Sequence, residues 1–132
     1  MSDQAKGIIA VIDDSADIRL LCKQALKMEG REAAVFENGL EALGYLRAAK
    51  HSPSLIFADL SMPQMSGSEL ITEIRKDPGL KNMRIIITSG WRDLAKRAAE
   101  LGADGYLAKP FGLDQFYETI ERHENSPSVK FS

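Results

Sequence analysis

The sequence predicts an α/β fold, a parallel sheet covered by helices on both faces. Three observations carry that prediction. Short apolar runs alternate with longer stretches of helical period, strand then helix, five times along the chain. The main runs are apolar at every position, the mark of strands buried on both sides. Helices join successive runs, and parallel strands need a crossover of that kind.

The elements follow in order. Ile8-Ile9-Ala10-Val11-Ile12 reads as a buried strand that ends abruptly in Asp13-Asp14-Ser15. Ile18, Leu21, Cys22, Ala25 and Leu26 then line one face of a helix closed by Gly30. Ala33-Ala34-Val35-Phe36 is a weaker strand. Asn38 followed by Glu41 has the form of a helix start, with Leu43 and Leu46 facing inward. Leu55-Ile56-Phe57-Ala58 is the third strand and runs into Asp59. Ser66 with Glu69 repeats the helix-start pattern ahead of Leu70, Ile71 and Ile74. Ile85-Ile86-Ile87, strongly β-branched, ends in Thr88-Ser89-Gly90. Leu94, Ala98 and Leu101 mark a helix stopped by Gly102. Tyr106-Leu107-Ala108 is a short strand ending at Lys109-Pro110, and Leu113, Phe116, Tyr117 and Ile120 stripe the last helix.

Composition narrows the possible functions. A chain of 132 residues has the usual size of one domain and needs no disulfide or metal staple. Lys and Arg total 17 against 19 for Asp and Glu, so the broad cationic surface of a nucleic-acid binder is not expected. Cys22 is alone, which leaves no intramolecular disulfide and no Cys/His cluster for zinc. The first apolar run is too short for a signal peptide or a membrane span. A cytoplasmic location without membrane insertion is the expectation. Residues 1–6 are expected to form an N-terminal tail, 7–124 a single domain, and 125–132 a frayed C-terminal tail.

In open parallel sheets, ligands bind at the carboxyl ends of the strands. Here the first strand delivers Asp13 and Asp14, the third Asp59, the fourth Thr88 or Ser89, and the fifth Lys109. Each alone is more often a turn former or a helix cap. Together they place three carboxylates, a hydroxyl and an ammonium at one rim. Carboxylates so close repel unless a cation sits among them, and Mg²⁺ is suited to one or two carboxylates with waters and phosphate oxygens. That set fits phosphoryl transfer, with Asp59 as nucleophile because Asp13 and Asp14 form a pair better placed to hold metal.

The motifs Ile12-Asp13-Asp14-Ser15, Asp59-Leu60-Ser61-Met62-Pro63-Gln64-Met65-Ser66-Gly67 and Gly102 through Phe111, with Lys109-Pro110 inside it, resemble the receiver domains of two-component response regulators. The resemblance covers about residues 7–122, and the three motifs are specific in combination. It implies a flavodoxin-like, doubly wound sheet of order 2-1-3-4-5 flanked by five helices; the general rule for such sheets is itself illustrated by a member of this family. It further implies that Asp59 is the phosphoacceptor, that Asp13, Asp14, Asp59 and the Ser61 backbone carbonyl hold Mg²⁺, and that Lys109 contacts the phosphoryl group. A switch hydroxyl is implied too. The family's spacing from the phosphoacceptor favours Ser89 over Thr88, and Tyr106 is the switch aromatic that turns inward behind it.

The implied activity is that of a stand-alone receiver, of the chemotaxis-regulator kind. It takes a phosphoryl group from the phosphohistidine of a histidine kinase or histidine phosphotransfer protein, then engages a downstream protein target or relays the group. It is not expected to be a dedicated turnover enzyme, to bind nucleic acid directly, or to be more than a monomer or weak dimer. An Mg²⁺-dependent phosphatase with Asp59 as nucleophile is the alternative; turnover of small phosphomonoesters without a kinase would favour it. An FMN carrier fits less well, because acidic Asp13-Asp14 stands where a phosphate-cradling loop is needed. Gly39 to Gly44 has P-loop spacing, but Tyr45 replaces the required Lys. His51 and His123 read as surface histidines, Cys22 as a small core residue, and Arg92, Lys96 and Arg97 as a basic helix edge.

Three departures from the family pattern stand out. Ser66 replaces a frequent Asp, read as a change of helix cap. Arg84 opens the fourth strand where Pro is common, read as neutral. Trp91 sits in the loop after the fourth strand, where an aromatic is available to a partner. Neither Ser61 nor Trp91 offers an acid or amide to orient an attacking water, so a long-lived acyl phosphate shielded by Trp91 is expected. Self-hydrolysis should quicken in Trp91→Ala, and an unchanged rate rejects the shielding.

Overall fold

The computed structural model describes residues 7–50, 52–62 and 64–125. The expectations for the two tails and for His51 therefore fall largely outside the described residues. Five strands and five helices alternate: β1 (Ile9–Ile12), α1 (Ala16–Met28), β2 (Ala33–Phe36), α2 (Gly39–Ala48), β3 (Leu55–Asp59), α3 (Gly67–Lys76), β4 (Ile85–Ser89), α4 (Leu94–Leu101), β5 (Gly105–Ala108) and α5 (Leu113–Asn125). All pairings are parallel, in the order β2-β1-β3-β4-β5. This is the expected flavodoxin-like topology, and its strand order reverses between β1 and β3. None of the described helices is long and apolar enough to cross a membrane.

Strand alternation divides the core in two. Ala10, Ile12, Ile56, Ala58, Ile85 and Ile87 face one way, under Leu43 and Leu46 of α2, Leu70, Ile71 and Ile74 of α3, and Leu94 and Ala98 of α4. Ile9, Val11, Leu55, Phe57, Ile86 and Leu107 face the other, under Cys22, Ala25 and Leu26 of α1 and Phe116 and Ile120 of α5. Each large aliphatic side chain withdrawn fully from water stabilises the fold by roughly 1.5–3 kcal/mol. Buried Cys22 belongs to the second core, as expected. Burial, then the charge of Asp13, pushes its thiol up to about 12, against the opposing effect of Lys109.

Two helix starts are where local sequence placed them. Asn38 Oδ1 accepts from the Glu41 N–H. Ser15, not singled out as a cap, accepts through Oγ from the Ile18 N–H at the start of α1. Ser66 and Glu69 form a reciprocal box, so Ser66 does act as a helix cap. α4 is the exception: Asp93, before it, has φ 57° and makes no side-chain cap bond.

Two expectations are revised. Arg84 is not neutral: its guanidinium donates to the carbonyls of His123 and Glu124, satisfying acceptors that the end of α5 leaves open. His123 is not a plain surface residue. Its ring lies half-buried against Gly105, where a Cβ would come within 2.4 Å of Cε1. Burial first, then the charge of Arg122, lowers its pKa.

The join between β3 and α3 is tight. A Cβ on Gly67 would lie 2.2 Å from the Asp59 carbonyl oxygen, so α3 begins directly against the last residue of β3. In the loop between them Gln64 and Met65 have φ of 55° and 104°, conformations that cost a side-chain-bearing residue of order 1–3 kcal/mol each. Gly67→Ala is expected to lower stability by about 1–3 kcal/mol in urea unfolding. Wild-type stability in that variant would contradict so close an approach.

Candidate functional site

The same alternation decides which side chains meet at the carboxyl edge. Val11, Phe57, Ile86 and Leu107 share the face covered by α1 and α5. Asp13, Asp59, Thr88 and Lys109 each lie two residues further on and project to that side. Backbone bonds carry the ladder past the strand ends: the Asp13 N–H donates to the Phe36 carbonyl at 3.0 Å and the Lys109 N–H to the Ser89 carbonyl at 2.9 Å.

Lys109 draws the cluster together. Its ammonium lies 2.9 Å from Asp13 Oδ2 and 3.3 Å from Asp59 Oδ2. The Ser15 N–H donates to Asp13 Oδ1 at 2.9 Å, and the Ser61 N–H to Asp59 Oδ1 at 3.2 Å. Asp13 and Asp59 are buried, whereas Asp14 is exposed. Carboxylate oxygens of all three acids come within 4.8 Å of one another, close enough to hold one metal ion.

The electrostatics follow from burial. Loss of water, then the charge of Asp13, raises the Asp59 pKa; the Ser61 N–H and Lys109 pull against that rise. Burial also works against the charged form of Lys109. There the hydrogen bond and charge of Asp13, joined by Asp59, prevail, so its pKa is raised. Three carboxylates facing one ammonium leave an excess of two negative charges at a single rim.

The two candidate hydroxyls separate. Thr88 stands in register with Asp59 and with Leu107, on the face of the cluster. Ser89 falls on the opposite face, level with Ala108, and its Oγ accepts from the Trp91 N–H at 3.0 Å. Thr88 thus shares a face with Asp59, and Ser89 shares a face with Ile87 and its partner Tyr106. Tyr106 is about half exposed, paired with Ile87 on the α4 side of the sheet. Trp91 is 59% exposed, with the Arg97 guanidinium 5.9 Å from its ring centre. Ser61 is exposed two residues beyond Asp59.

One residue at the site was not singled out from sequence. Arg19, on α1, donates from Nη1 to the Asp13 carbonyl at 2.7 Å. The available signal was the tendency of helical side chains to lean toward the helix N-terminus, which here is the acidic turn.

Comparison with known proteins identifies the family. A family profile described as the response regulator receiver domain matches residues 9–121. The DNA-binding transcriptional regulator NtrC of Escherichia coli K12 is 34% identical over 117 residues, 89% of this chain but 24% of NtrC, so the chain spans about a quarter of that relative. Chemotaxis protein CheY of Bacillus subtilis is 30% identical, over 89% of this chain and 97% of CheY. Protein PilG of Pseudomonas aeruginosa is 31% identical, over 93% and 92%. The solved structure of chemotaxis response regulator CheY4 of Vibrio cholerae superposes with a TM-score of 0.82 at 28% identity, covering 89% of this chain and 98% of that one.

The raised Asp59 pKa has a consequence for stability. The folded chain holds that proton to a higher pH than the unfolded chain does, so stability falls as pH rises through the raised value. Asp59→Asn removes the deficit. In EDTA it should melt a few degrees above wild type at pH 7, with the advantage shrinking as pH is lowered toward the ordinary carboxylate range. Equal melting at pH 7 contradicts this account of the site.

Proposed function

The chain belongs to the response regulator receiver family, and on that premise we propose that it accepts a phosphoryl group on Asp59. The observation that carries this reading is the Lys109 ammonium within reach of both Asp13 and Asp59, beside a third carboxylate. The excess of two negative charges suits a divalent cation, and hard carboxylate oxygens suit Mg²⁺. Asp13, Asp14, Asp59 and the Ser61 carbonyl would hold it, and it would neutralise charge on the phosphoryl oxygens.

An Asp59 carboxylate oxygen attacks phosphorus in line as the phosphorus–nitrogen bond of the donor phosphohistidine breaks, and the bonding pair returns to the imidazole. Lys109 and the Ser89 hydroxyl then bond the transferred oxygens. Ser89, at the end of β4 on the face of the sheet that carries Tyr106, takes the switch role. Its turn toward the phosphoryl group leaves room for Tyr106 to move inward, shifting β4, α4 and β5 toward a partner-binding state. Family identity supports a signalling module rather than a dedicated turnover enzyme.

The donor is a histidine kinase or histidine phosphotransfer protein. Beside Lys109 lies a mostly apolar hollow of about 440 Å³, lined by Ile18, Leu21, Gly90, Pro110 and Phe111, a surface suited to protein contact. CheY and PilG are matched over nearly their whole lengths, which supports an output through a downstream protein target or onward relay from a monomer or weak dimer. A cytoplasmic setting follows from that chemistry.

Incubation with a small acyl phosphate and Mg²⁺, followed by intact mass, tests the reading. One phosphoryl group should be gained by wild type and none by Asp59→Asn or in EDTA. Trp91 fluorescence should respond in wild type and Thr88→Ala, and respond several-fold less in Ser89→Ala. A gain that persists in Asp59→Asn overturns the acceptor, and a response lost only in Thr88→Ala overturns the switch.

A further inference from the structure

Asp13 is held at every polar atom it has. Its N–H donates to Phe36 at 3.0 Å, Oδ1 accepts from the Ser15 N–H at 2.9 Å, and Oδ2 meets Lys109 at 2.9 Å. The sheet, the turn and β5 supply these three contacts. The fourth, at the carbonyl oxygen, comes from the side chain of Arg19 at 2.7 Å. The Arg19 N–H also donates to the Ser15 carbonyl at 3.1 Å. One residue thus grips both ends of the turn 13–15, which carries two of the three clustered acids.

We propose that Arg19 is a positioning residue for the cation site, acting through the Asp13 carbonyl. The inference rests on the Mg²⁺ reading above. A charged donor makes a shorter and stronger hydrogen bond than a neutral one, so the guanidinium suits a turn that must stay fixed while acids beside it repel. Arg19 touches no carboxylate in the described structure; its contact is with main chain. It therefore shapes the site without neutralising it.

The sign of one measurement separates positioning from charge. A guanidinium near the acids repels an incoming cation, so if only its charge mattered, removing it would tighten Mg²⁺ binding. If positioning matters, removing it loosens the turn and weakens binding. Isothermal titration with Mg²⁺ alone should show Arg19→Met binding about tenfold more weakly, the low end for a residue that orients a metal ligand. Arg19→Lys, which keeps a charged donor, should recover most of that loss. Melting in EDTA shows whether each variant is folded at the titration temperature. Should Arg19→Met not be, Arg19→Gln keeps an amide donor without charge and gives the same readout. Unchanged or tighter binding in the neutral variant overturns the proposal. So does equal weakening in the Lys and Met variants with a matching fall in melting temperature. Wild type that fails to bind Mg²⁺ overturns the site reading instead, a distinguishable result.

Discussion

Lys109 reaches Asp13 from the far edge of the sheet, past the ends of β4 and β3, and that contact governs the carboxyl edge. An ammonium on β5 and a carboxylate on β1 meet only if the loops leaving the intervening strands stay clear. Asp59, at the end of β3, lies on the path and shares the same ammonium. The three strands are therefore joined at their tips by one charge cluster as well as by the ladder. Anything that changes the charge on Asp59 changes what Lys109 holds.

The surrounding fold limits how far those groups can yield. α3 begins against the Asp59 carbonyl through Gly67, and the loop between them holds two residues in left-handed conformations. Burial keeps water from screening the acids, which is why Asp59 is raised despite a lysine beside it. A cation brought to the cluster, or a phosphoryl group added to it, meets a site whose charges are concentrated and whose backbone is braced. Such a site converts a local charge into movement of its neighbours.

Much of this was legible in the residues. The β1, β3 and β4 runs are apolar throughout, and each leads into the acid or hydroxyl that the structure places at the rim. Asn38 and Ser66 announced their helices because capping is local chemistry. Strand order was accessible only through resemblance, since crossover helices do not encode which strands become neighbours. Ile85-Ile86-Ile87 is apolar on both faces, so alternation within the run could not say which face each of Thr88 and Ser89 would take. Arg19 and Arg84 bond to main-chain carbonyls, which every residue offers, so only the lean of helical side chains pointed to the first and nothing to the second.

Convergence of three acids on a single ion is the claim beneath all of this, and a crystal grown with Mn²⁺ examines it directly. The account requires one anomalous difference peak at coordination distance from carboxylate oxygens of Asp13, Asp14 and Asp59 and from the Ser61 carbonyl. A well-ordered crystal with no peak there, or with its metal held by other residues, would contradict it.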